Sequence, residues 1–193
     1  MHRGHGELLR RVDVDHARCH LQRPDLEGEV GITGPSSEVQ AVVDLYGPTD
    51  FLQMDEYMLP GACESFITMM SITGYHNDPL SPESRLIGAP IQENPDLVAE
   101  ANPITYVDAQ IPPFLIAHGT KDQLVPHHQS NLLFEAMAEA RVPAMFYSVT
   151  GYGHEHGLLA ETSNIVDRPV HPTKPHGGII TSKGAPMTWD TVA

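Results

Sequence analysis

The chain has 193 residues, enough for one domain with a sizeable core. Its 11 basic and 25 acidic residues leave a formal net charge of −14, which disfavours nucleic acid or an anionic membrane as partner, since both require a basic face. A hydrophobic fraction of 40% against 19% charged residues is that of a globular protein, and no apolar run approaches the ~20 residues of a membrane span.

The first 23 residues are polar, with Arg and His among short apolar pieces, and read as coil or a short helix. They hold no apolar stretch of signal-peptide type, so a cytoplasmic protein is expected. The first strong signal is the run from Val39 to Tyr46, short, rich in β-branched residues and stopped by Gly47-Pro48. It reads as a buried strand. Residues 50–110 are rich in Pro, Gly, Asn and Asp, with short helical pieces such as Asp96–Glu100, and read as an elaborated crossover. Pro113–His118, ending at Gly119, predicts a second strand. A helix is predicted from His128 to Ala140, with Leu132, Leu133, Ala136, Met137 and Ala140 on its inward face. Ala144–Val149, ending at Gly151, predicts a third strand. After Gly157 the pattern fails, and 158–193 read as an irregular or disordered tail.

Strand, crossover, strand, helix, strand is the order of a parallel α/β sheet. In such sheets catalytic groups collect beyond the C-terminal strand ends, so Gly47–Asp50, Gly119–Asp122 and Gly151–His154 should converge at one edge. Asp122 and His154 each follow a buried strand, 32 residues apart, which is room for one helix and one strand. The carboxylate could then accept a bond from the imidazole and orient it, as the acid and base of a nucleophilic hydrolase do. Taken singly, Asp122 also fits a turn or capping carboxylate and His154 an exposed loop histidine.

From about Pro24 to Gly157 the chain resembles the C-terminal part of α/β-hydrolase carboxylesterases, particularly the feruloyl-esterase-like group. The segments that carry the resemblance are Val39–Asp50, Ser81–Gln92, Ala101–Val107, Pro112–Pro126 and Gly151–His154, in the family's order. The resemblance implies Asp122 as triad acid and His154 as triad base, with Pro48–Asp50 and the 51–110 insertion shaping the pocket. It divides the chain into an unmatched segment 1–23, a partial hydrolase domain 24–157 and the tail 158–193. The fold expected is therefore the C-terminal portion of a parallel hydrolase sheet with flanking helices, incomplete at its N-terminal side.

The family's nucleophile is a serine in a G-x-S-x-G elbow, and no such pentapeptide occurs here, nor an HGGG-type oxyanion segment. Ser36-Ser37 follow Gly34-Pro35 with no strand before them and read as a turn. Cys63, one of two cysteines with Cys19, lies in Gly61-Ala62-Cys63-Glu64-Ser65, which begins like a cysteine elbow but lacks the closing Gly and the preceding strand. Two cysteines make no disulfide scaffold. The 12 histidines raise a metal reading for His127-His128, His154-Glu155-His156, His171 and His176, but their spacing matches no tight ligand template. No cofactor and no metal site is expected.

The resemblance thus implies a carboxylic-ester hydrolase by descent, with small esters as substrates once completed, and inactive as this chain alone. Feruloyl, acetyl and short aliphatic esters all fit it. The rival readings are a non-catalytic interaction fragment that self-associates through an open sheet edge, or a truncated gene product.

Overall fold

A computed structural model describes residues 38–155, with the strands at 169–172 and 182–183. The segment 1–23 and most of 158–193 lie outside the described residues. Five strands form one sheet in the order β1 (Val42–Leu45), β2 (Phe114–Gly119), β3 (Ala144–Val149), β4 (Pro169–Pro172) and β5 (Ser182–Lys183). β1, β2 and β3 are parallel, with Val42 opposite Phe114 and Phe114 opposite Ala144. β4 and β5 add antiparallel, with Phe146 opposite His171. These two strands arise within the stretch read as an irregular tail. They are four and two residues long, and the first begins and ends on proline, so no sequence period marks them. The first strand is also shorter than the predicted Val39–Tyr46, because Tyr46 turns to φ 49°.

The crossover from β1 to β2 contains α1 (Ala62–Met70), α2 (Pro82–Ile87) and α3 (Pro95–Ala101), joined by short 3-10 turns. The crossover from β2 to β3 is the single helix α4 (His128–Ala140). Its last turn closes on Arg141 at φ 63°, and the Val142 N–H reaches back to the Met137 carbonyl at 2.9 Å. Pro143 then blocks any continuation.

The buried stripe of α4 is Leu133, Phe134, Met137 and Ala138, displaced by one residue from the predicted face. Phe134 turns it, since its ring packs on Phe146 of β3 with centroids 5.7 Å apart. Leu132, Ala136 and Ala140 are only half-buried. Between sheet and helix, Val42, Phe114, Ile116, Leu133, Met137 and Phe146 close one core. Each such side chain contributes roughly 1.5–3 kcal/mol by leaving water. The insertion has its own core of Phe51, Met54, Ile87, Ile91, Val98 and Ala101, which meets the site through Val125. The opposite sheet face buries Ala117, Tyr147 and Val149.

Inside the insertion, Ser81 is the N-cap of α2, and its hydroxyl accepts from the Ser84 N–H at 3.0 Å. Pro82 occupies the first helical position, where no N–H is needed. Ser81→Ala is expected to lower stability by about 1 kcal/mol, read by urea denaturation. An unchanged midpoint would mean that the buried cap contributes nothing.

Candidate active site

The three parallel strands end in register. Leu45 lies opposite Ala117, and Gly119 opposite Val149, so the loops after β2 and β3 share one edge, where the prediction includes Gly47–Asp50 as well. The loop after β2 is laced to the loop after β3. The Thr120 N–H donates to the Val149 carbonyl at 3.0 Å and the Lys121 N–H to the Tyr152 carbonyl at 2.8 Å. In return, the Gly151 N–H donates to Thr120 Oγ1 at 3.1 Å. Gly119 permits this approach. A Cβ there would fall within contact of the Tyr152 carbonyl and 2.7 Å from the Gly153 oxygen. Gly151 is needed for another reason, its φ of +87°.

The lacing brings Asp122 and His154 together. His154 Nδ1 lies 2.9 Å from Asp122 Oδ2. Asp122 is 1% exposed, whereas the His154 side chain keeps 29% of its surface. Asp122 Oδ1 accepts the Leu124 and Val125 N–H groups at 2.8 and 2.9 Å. Oδ2 also lies 3.2 Å from Nε2 of His118, which is wholly buried. Burial alone would raise the Asp122 pKa. The bonds from His118, His154, Val125 and Leu124 outweigh it and hold the carboxyl well below the usual carboxylate range. Asp122 is thus an anion at neutral pH. A donor on Nδ1 of His154 faces it, which leaves Nε2 of a neutral ring as acceptor.

Tyr46, at the end of β1, lays its ring against His154 with centroids 4.1 Å apart. Burial, and then the nearby Asp122 charge, raise its phenol pKa. Neither Tyr46 nor His118 was among the predicted site residues. His118 stood in the predicted strand end, and only its polarity within an apolar run marked it. Tyr46 carried no signal beyond its position before Gly47.

The loop after β1 goes elsewhere. Thr49 is buried, its N–H donates to Gln129 Oε1 at 2.8 Å and its hydroxyl lies 3.0 Å from the Gln129 carbonyl. Asp50 caps the 3-10 turn at Phe51–Gln53 through the Leu52 N–H. These residues anchor the loop to α4.

The other histidines are committed to separate contacts. His127 Nε2 lies 2.9 Å from Ser148 Oγ, and His128 stacks on Tyr57 with centroids 3.6 Å apart. His76 faces Glu83, Nδ1 to Oε1 3.0 Å, beneath Phe66. No group of three or more potential metal ligands occurs among the described residues. His156 and the side chains of His171 and His176 lie outside them. Cys63 is half-buried on α1 and not in a disulfide, and Ser36-Ser37 lie outside the described residues. No helix of the described residues is long and apolar enough to cross a membrane.

Residues 17–137 match the family model BD-FAE. The chain belongs to the BD-FAE family. This is an esterase family, and the match takes in Asp122, with His154 lying 17 residues beyond its end. The chain is 30% identical to esterase LipQ of Mycobacterium tuberculosis over 149 residues, 76% of this chain and 31% of LipQ. It is 27% identical to esterase LipC of the same organism, over 65% of this chain and 28% of LipC. It therefore spans less than a third of the length of these curated relatives. Among solved structures, a truncated carbohydrate esterase from gut microbiota is 32% identical, with a TM-score of 0.55 over 72% of this chain and 47% of its own. A bifunctional GH43-CE protein of Bacteroides eggerthii is 33% identical, with a TM-score of 0.61 over 76% of this chain and 18% of its own. The architecture is that of the α/β-hydrolase fold.

Proposed function

We propose that this chain carries the acid, Asp122, and the base, His154, of a serine carboxylesterase triad, and lacks the serine. The observation that carries the reading is the 2.9 Å contact between His154 Nδ1 and a buried Asp122 carboxylate held by backbone N–H groups. An acid fixed on the sheet edge and a base whose side chain keeps part of its surface exposed have the order and exposure that the chemistry needs. Membership in an esterase family supports a small ester, feruloyl or otherwise, as the substrate of the completed site.

In a completed site, His154 Nε2 takes the serine hydroxyl proton as the serine oxygen attacks the ester carbonyl. Asp122 stabilises the imidazolium. The tetrahedral intermediate collapses, the alcohol leaves with the proton from Nε2, and the acyl group stays on serine. Water then repeats the sequence: Nε2 removes its proton as the water oxygen bonds to the acyl carbon, the acyl–serine bond breaks, and Nε2 returns the proton to the serine oxygen as the acid is released. Without a nucleophile only the unactivated background remains, and turnover falls by several powers of ten. The chain alone is therefore inactive.

A fluorophosphonate probe and intact-mass measurement test this. A folded chain is expected to gain no mass. One added probe mass that disappears when the chain is heat-denatured before labelling would reveal an activated serine and overturn the proposal.

A further inference from the structure

Asp122 Oδ2 serves two imidazoles, and the second one, His118, lies on the interior side. His118 is fully buried at the C-terminal end of β2. Its Nε2 lies 3.1 Å from the Val125 carbonyl and 3.2 Å from Asp122 Oδ2. Both partners can only accept, so Nε2 carries the hydrogen and shares it between them. Nδ1 lies 2.7 Å from Oγ of Ser130, itself buried on the first turn of α4. With the hydrogen on Nε2, Nδ1 of the neutral ring accepts and the Ser130 hydroxyl donates. The result is a continuous chain: Ser130 to His118, His118 to Asp122, and His154 to the same Asp122 oxygen.

We infer that His118 is a positioning residue, whose Nε2–H holds Asp122 Oδ2 from within so that the carboxylate meets His154 already oriented and already shared. This rests on reading Asp122 and His154 as the acid–base pair. An oxygen that already accepts one bond is a weaker acceptor for a second, so His118 tempers the bond from His154 Nδ1 to Asp122 Oδ2 as well as fixing its geometry. A merely structural histidine would satisfy Val125 and leave His154 unaffected. The other groups facing the pair are Tyr46, whose ring is 6.4 Å from His118 and 4.1 Å from His154, and His127, 5.3 Å from His118. Glu155, next to His154, accepts from the Gly153 N–H.

1H–15N NMR of the histidine ring nitrogens on the full chain at neutral pH tests this. His118 should show the Nε2–H tautomer. H118F should move the His154 Nδ1–H proton resonance downfield, as its bond to Asp122 Oδ2 strengthens, and H118Q, which keeps an N–H near the Nε2 position, should return it toward the native position. The Nδ1–H tautomer of His118, or an H118F chain in which the His154 Nδ1–H resonance stays in place, would overturn the inference. Should H118F fail to fold, D122N decides. Loss of Asp122 should move the ring 15N shifts of both His154 and His118. Movement of His154 alone overturns the role of His118 and keeps the pair, whereas movement of neither overturns the pair and this inference with it. If neither variant folds, a wild-type His118 that carries its hydrogen on Nδ1 overturns the inference.

Discussion

Replacing Asp122 by Asn should lower stability at neutral pH by about 3 kcal/mol, the upper end for hydrogen bonds to a buried charged group whose donors are then left unsatisfied. The side chain fits, so volume is not the cause. The amide oxygen can still take the Leu124 and Val125 N–H groups. Its NH2 group then faces His118 Nε2 and His154 Nδ1, both of which donate to the native carboxylate. If His118 moves its hydrogen to Nδ1 to accommodate the amide, bare Nε2 faces the Val125 carbonyl at 3.1 Å, and two lone pairs meet. The cost also carries a pH signature. The carboxyl of Asp122 has a lower pKa in the folded chain than in an unfolded one, so the folded state binds fewer protons on acidification. Its contribution is fully present above the unfolded value, about pH 4, and is lost progressively as pH falls below that. Urea midpoints of the two chains should therefore differ most near pH 7 and converge toward pH 2. A constant difference across that range would show that the carboxylate charge is not what Asn removes.

Gly119→Ala is the second large effect, again about 3 kcal/mol, at the upper end of overpacking costs. The methyl group would meet the backbone carbonyls of Tyr152 and Gly153, which cannot rotate away as a flexible side chain would. Relief requires the two loops to part, breaking the bond from the Lys121 N–H to the Tyr152 carbonyl and lengthening the path from Asp122 to His154. Gly151→Ala is the comparison. A Cβ there meets nothing within 4 Å, and only its φ of +87° opposes it, at about 1–2 kcal/mol. Thermal melts should rank the two in that order. A Gly119→Ala chain as stable as Gly151→Ala would mean that the loops are not clamped.

The parts of this site legible in the sequence are those governed by local pattern. β2 and β3 stand out as apolar runs ended by glycine, and Asp122 and His154 stand just past them, where a parallel sheet places its chemistry. What escaped depends on partners distant in the chain. Thr49 takes its meaning from Gln129, 80 residues away. Ser130 becomes more than a helix residue only because α4 lies over His118. The shift of the α4 face follows from one ring, Phe134, meeting another on β3. The antiparallel β4 and β5 add by backbone pairing, which leaves little trace in side-chain periodicity.

The two crossovers differ greatly in span. Residues 46–113 separate β1 from β2, whereas only residues 120–143 separate β2 from β3. Closing the longer loop costs about 1 kcal/mol more in chain entropy than closing the shorter one. Asp122, His118, Ser130 and His154 all lie on or beside the shorter, so the pair is assembled within a β–α–β unit of roughly forty residues (114–154), apart from Tyr46. The pairing of Asp122 with His154 is therefore a property of this one unit, and the hydrogen bonds that align the two side chains do not pass through the long insertion.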